Sequence, residues 1–148
     1  MFKGKITIGK ISGIPIKLHI SFLVILPFLA WAFGNNIKML TNMTEITVTK
    51  LSINPYLLGL ILAISLFISI GLHELAHSYV AMSKGIKIND ITLMLLGGVA
   101  KMEEVIENPK DEAWMAFSGP LFSIVFGFIL VQIASIFSNS LLPDIYLV

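Results

Sequence analysis

The residues of this sequence with the most chemistry to offer are clustered in His73-Glu74-Leu75-Ala76-His77, an H-E-x-x-H pattern. With only three histidines and six glutamates in 148 residues, shuffling would produce it roughly twice in a thousand sequences. On a helix, side chains four apart share a face with Cβ atoms about 5 to 6 Å apart, so both imidazoles can grip one metal ion. Glu74, one residue on from His73, is turned around the helix and reaches a bound water instead of the ion. Zinc in such a site polarises a carbonyl and lowers the pKa of its water to about 7, while the carboxylate takes the proton. His73 and His77 are therefore the expected metal ligands, Glu74 the general base and Zn2+ the cofactor. The chain has no cysteine, so any further ligand must be a His or a carboxylate.

These residues need a scaffold, and composition says what it is made of. Hydrophobic residues make up 56% of the chain and charged residues 13%, with a mean hydropathy of +0.90. A domain this small cannot hide that surplus in one core, so lipid is the expected solvent. All ten cations are lysines and the net charge is +1, which gives no basic field for nucleic acid. Three charge-free runs are long enough to span, Leu18 to Ile37, Leu51 to Leu72 and Ala113 to Pro143. The expected fold is an α-helical integral membrane protein with about three transmembrane helices, forming a single membrane-embedded unit over 1–148.

Ile6 to Ile11 and Ile14 to Leu18 alternate as a half-buried strand does, so an N-terminal strand should feed the first helix. A competing reading, a signal peptide ending at Ala30-Trp31-Ala32, fits that long patterned lead-in less well. The apolar stretch 91–100 is too short to span and contains Gly97-Gly98, which predicts a short strand, a hairpin or a re-entrant segment. Gly there would let a substrate backbone pair closely with a strand edge, so Gly97 and Gly98 are candidate substrate-binding residues. Gly119, Ser123 and Gly127 recur every four residues, a small face for tight packing against the metal helix, with Pro120 beginning or kinking the spanning part. Ser69 and Ser65 behind His73, and Ala81 beyond His77, continue a small or polar stripe toward the bundle interior.

Lys3, Lys5, Lys10 and Lys17 precede the first run, and Lys84, Lys87, Lys101 and Lys110 lie between the second and third, against only Lys38 and Lys50 between the first and second. The positive-inside rule then places the N-terminus and the 84–112 segment in the cytoplasm. Counting from Pro55, His73 lies about 27 Å along its helix, so the active site is nearer the cytoplasmic side, and water must reach it from there. Glu103, Glu104, Glu107 and Asp111 read as a solvated cytoplasmic face rather than ligands. His19 reads as a boundary residue at the start of the first helix.

Taken together, Gly13-Ile14-Pro15-Ile16 with His19, the H-E-x-x-H, Leu96-Gly97-Gly98-Val99-Ala100 and Ser118-Gly119-Pro120-Leu121 resemble the site-2 proteases, intramembrane zinc metalloproteases. Their order looks most like the compact branch with bacterial sporulation-factor proteases and archaeal relatives. The resemblance implies peptide-bond hydrolysis in or near transmembrane segments, with a transmembrane or membrane-associated protein as substrate, the lipid bilayer as surroundings and a homo-oligomer as a further option. It also implies a third ligand from an Asp-Gly motif on a later helix, and no Asp-Gly occurs here. Asp144, in Pro143-Asp144-Ile145, does not match, so the third ligand is unknown and the chain is expected to be incomplete at its C-terminus. The competing readings are a metal-binding or transport protein using the same histidines, and an inactive scaffold derived from the protease.

Overall fold

The computed structural model describes residues 4–44, 54–95, 97–104 and 106–141. In chain order the elements are β1 (Lys5–Ile11), β2 (Ile14–His19), α1 (Ile20–Thr44), α2 (Pro55–Ser83), β3 (Ile88–Met94), β4 (Gly97–Met102) and α3 (Pro109–Leu141). Lys3, Lys50, Leu96, Asp144 and the ends of the second and third apolar runs (51–53 and 142–143) lie outside the described residues. Among the described residues three helices are long and apolar enough to cross a membrane, and the chain is an integral membrane protein. Each helix passes one end of its charge-free run: α1 takes in Lys38, α2 continues through Glu74 to Ser83, and α3 begins ahead of its run with Lys110, and a lysine near a helix end reaches water.

Sharp local signals bound α2. Asn54 caps its N-terminus, its side chain accepting from Tyr56 N at 2.9 Å, and Pro55 takes the first helical position, where no N–H is needed. At the other end Gly85, at φ +85°, lets Gly85 N bond Met82 O at 3.0 Å and Ile86 N bond Ala81 O at 3.2 Å, closing the last turn. Ile86 then packs on Ala81 and Ile106.

The N-terminal strand is a hairpin, and it belongs to a four-stranded sheet ordered β1-β2-β3-β4. β2 and β3 are parallel, with Ile16 opposite Ile91 and Leu18 opposite Leu93, while the outer pairs are antiparallel. The stretch 91–100 is accordingly an antiparallel β3–β4 hairpin rather than a lone strand. Alternation holds in β2, where Ile14 and Ile16 are buried, but Ile6, Ile8 and Ile11 of β1 are exposed because β1 is an outer strand. The sheet's buried face meets the helices in one cluster of Ile14, Ile16, Phe22, Phe67, Leu75, Ile91 and Leu93. Phe22 of α1 and Phe67 of α2 meet edge to face at 4.4 Å between ring centroids.

A charged network locks the strand order. Asp90 of β3, buried, accepts from Lys17 of β2 at 2.8 Å and from Thr92 Oγ1 at 2.8 Å, and Lys5 of β1 donates to that threonine at 2.9 Å. Three strands are thus tied through one carboxylate, with Lys84 and Asp111 making a further ion pair at 2.7 Å between the end of α2 and the start of α3.

Candidate metal centre and active site

His73, Glu74 and His77 lie in the last third of α2, all half-buried. The two imidazoles meet edge to face with centroids 4.8 Å apart, and their Nε2 atoms come within 3.1 Å of each other. Two nitrogens bound tetrahedrally at about 2.0 to 2.1 Å from one zinc would stand about 3.3 Å apart, so the pair is already close to ligand spacing.

Helix α3 lies directly against them. Gly119 of α3 faces the pair, and a Cβ added to it would stand 2.2 Å from His77 Nε2 and 2.7 Å from His73 Nε2. A side chain there would collide with both rings, so glycine is what lets α3 and the two imidazoles stand this close. The outward nitrogens are engaged by the same helix. His77 Nδ1 donates to the Met115 carbonyl at 2.7 Å, and His73 Nδ1 lies 2.8 Å from Ser123 Oγ. Ser118 Oγ also donates to the Met115 carbonyl, at 2.6 Å.

Glu74 turns from the imidazoles toward β4. A cavity of about 360 Å³ opens there, lined by Ser69, Ile70, His73, Glu74, Gly97, Gly98 and Ser123. Both ligand-type and base-type residues of the motif therefore share one cavity with the diglycine. Gly97 adopts φ +137°, a conformation reserved for glycine, at the start of β4. β4, like β1, is an outer strand of the described sheet, and among the described residues no strand pairs with its second edge. A separate groove of about 280 Å³ between β1, β2 and α2 is lined by apolar residues alone, including Ile8, Ile16, Phe67 and Leu72, and carries none of this chemistry.

The other residues singled out in the sequence fall elsewhere. His19 ends β2 and its Nδ1 is paired with Ser21 Oγ at 2.8 Å. Glu103, Glu104 and Glu107 are exposed, while Asp111 pairs with Lys84. Ser69 lines the cavity, but Ser65 bonds back to Ile61 O and Ala81 packs below with Ile86 and Ile106. The small face of α3 is tight only at Gly119, since nothing lies within 4 Å of a Cβ on Gly127. Pro120 sits inside α3 and does not begin it. Among the described residues no set of three His, Asp or Glu side chains forms a metal-binding group. Ser123, Ser118 and the Met115 carbonyl had no place in the site as read from sequence. The small-residue period marked the α3 face, but not the contacts it makes.

The family model for "Peptidase family M50" matches residues 61–143. The chain is 38% identical over 133 residues to "Zinc metalloprotease MJ0392" of Methanocaldococcus jannaschii, covering 89% of this chain and 33% of that protein. It is 35% identical over 120 residues to "Putative zinc metalloprotease sll0528" of Synechocystis, covering 81% of this chain and 30% of that protein. Among solved structures, "Site-2 Protease from Methanocaldococcus jannaschii" aligns with a TM-score of 0.58 at 35% identity, over 89% of this chain and 52% of that one. The chain thus spans about a third of the length of these curated relatives. By sequence and by fold alike, it belongs to peptidase family M50, the zinc metallopeptidases that include the site-2 proteases.

Proposed function

We propose that this chain is the zinc-binding portion of an intramembrane metalloprotease that hydrolyses peptide bonds in or near the transmembrane segments of membrane proteins. The observation that carries this reading is the convergence of His73 and His77 Nε2 at 3.1 Å beside a cavity shared with Glu74 and the Gly97-Gly98 edge. His73 and His77 hold the metal through Nε2, and no third ligand is assigned. Zinc, when bound, supplies Lewis acidity at the scissile carbonyl. Glu74 accepts the proton of the attacking water at its carboxylate and returns it to the departing amine nitrogen, so that both products leave neutral in that exchange.

A helical substrate shields its peptide bonds by internal hydrogen bonding, so it must unwind locally before it is cut. The free edge of β4 supplies the hydrogen bonds that an unwound segment loses, and Gly97 and Gly98 let its backbone come close. Lysine placement supports a cytoplasmic N-terminus and a cytoplasmic 84–112 segment, and His77 is seven residues, about 10 Å, from Lys84 at the end of α2. The site then lies inside the membrane near its cytoplasmic face, where water has a short path.

The test is cleavage of an apolar model transmembrane peptide with a central Asn-Pro, reconstituted with the chain in phospholipid vesicles with equimolar zinc. Glu74→Gln should abolish cleavage and retain most zinc. Cleavage that survives the substitution would remove Glu74 from the chemistry. Zinc binding by the wild-type chain without any cleavage would favour the competing reading, a metal-binding scaffold.

A further inference from the structure

We infer that α3 supplies the outer shell of the metal site: Ser123 is a positioning residue that orients His73, and Gly119 leaves the two imidazoles room to converge. The inference rests on the reading of His73 and His77 as ligands and adds the residues that aim them.

A neutral imidazole carries one proton, so the partner of one nitrogen decides whether the other can bind a metal. The Met115 carbonyl can only accept, so the His77 proton sits on Nδ1 and its Nε2 lone pair is bare. The backbone thereby fixes one ligand in its metal-binding form. His73 differs, because its partner is a hydroxyl that can donate or accept. When Ser123 donates to His73 Nδ1, the His73 proton sits on Nε2 and bonds His77 Nε2 across 3.1 Å. When Ser123 accepts, the proton sits on Nδ1 and both Nε2 lone pairs point at the same place. Two bare lone pairs that close repel unless a cation lies between them. The Ser123 hydroxyl can therefore satisfy His73 in the metal-free arrangement and in the metal-bound one, with rotation of a single O–H and no movement of either helix.

Gly119 completes the arrangement. A Cβ on it would stand 2.2 Å and 2.7 Å from the two Nε2 atoms, so even a methyl group would push the imidazoles out of their converging arrangement. Gly127, two turns along α3, has open space at its Cβ position and supplies an internal control for alanine on the same helix.

Zinc affinity of the full 148-residue chain in detergent micelles, measured by competition with a fluorescent chelator, tests this without any protease assay. Wild type should bind one equivalent, and His73→Ala should lose it. Ser123→Ala should bind roughly 10- to 100-fold more weakly, the usual cost of removing an outer-sphere partner. Ser123→Thr, which keeps the hydroxyl, should return to within about threefold of wild type, a rescue that a loss of helix packing would not show. Gly119→Ala should lose stoichiometric binding while Gly127→Ala keeps it, with unchanged helical circular dichroism in both. Wild-type affinity in Ser123→Ala, or equal weakness in Ser123→Thr, overturns the role of Ser123 and leaves the two ligands standing. Wild-type affinity in Gly119→Ala overturns the space-keeping role. Failure of the wild-type chain to bind zinc overturns both this inference and the reading beneath it.

Discussion

Gly98 stands against Glu74 so closely that a Cβ on the glycine would lie 2.4 Å from Glu74 Cγ and 3.1 Å from its Cδ. The contact is to the stem of the side chain, so relief requires the whole carboxylate to swing out of its present position. Strand β4 therefore sets where the proposed base sits. Gly98→Ala should lower the cleavage rate about 100-fold, the scale of a displacement near 1 Å at a reacting group, while zinc affinity stays within about threefold of wild type. Chelator competition and peptide cleavage on the same preparation separate the two effects. A parallel loss of zinc would show that β4 supports the ligands instead of the base.

Helices α1 and α2 touch backbone to backbone at a glycine pair. A Cβ on Gly59 would stand 2.3 Å from Ala30 O and 2.7 Å from Gly34 N, and one on Gly34 would meet Tyr56 Cδ1 at 2.6 Å. Small residues permit such close approach where lipid removes the hydrophobic drive for helices to associate. Gly59→Ala should therefore destabilise the chain by about 1 to 3 kcal/mol through overpacking. Unfolding in mixed micelles under increasing sodium dodecyl sulfate measures it, and Gly127→Ala should show no loss.

The contrast between α2 and the sheet shows what could be read before any coordinates. The start of α2 at Pro55 and its H-E-x-x-H are local, and each was legible from neighbouring residues in the chain. The sheet depends on β2 pairing in parallel with β3, and its lock joins Lys17 to Asp90, 73 residues apart. Periodicity carries no information about such a pairing. Lys5 and Lys17 were legible only as charges that orient the chain in a membrane, yet both turn onto Asp90. The same limit applies at the metal centre. His73 and His77 announce themselves by spacing, whereas Ser123 depends on how α3 is rotated against α2.

Asp90 makes the sheet sensitive to acid. Burial alone would raise its pKa, but hydrogen bonds from Lys17 and Thr92 and the charges of Lys17 and Lys5 outweigh it, and the carboxyl is held below its ordinary value. A depressed folded-state value means that the carboxylate's contribution is full above the unfolded pKa of about 3.9 and is lost as pH falls through the lower folded value. Stability should thus be insensitive to this group from pH 5 to 8 and fall below about pH 4. Asp90→Asn should be less stable at pH 7 and show a shallower acid loss. Thermal unfolding of both forms between pH 3 and 7 gives the comparison, and identical slopes would remove Asp90 as the cause.

The proposed orientation has a clean test, because the chain contains no cysteine and any single introduced thiol is the only one. Lys10 on β1 and Glu104 after β4 are exposed and belong to the segments whose lysines favour the cytoplasm, whereas Asn42 is exposed near the far end of α1. In sealed cells, a membrane-impermeant maleimide should label Asn42→Cys and leave Lys10→Cys and Glu104→Cys unlabelled until the membrane is permeabilised. In inverted vesicles the pattern should reverse. The opposite pattern in intact cells would turn the molecule over and place the cavity beside His73 and Glu74 near the outer face. Water and substrate would then have to approach it from outside, while the local geometry of the two imidazoles and Glu74 would be unchanged.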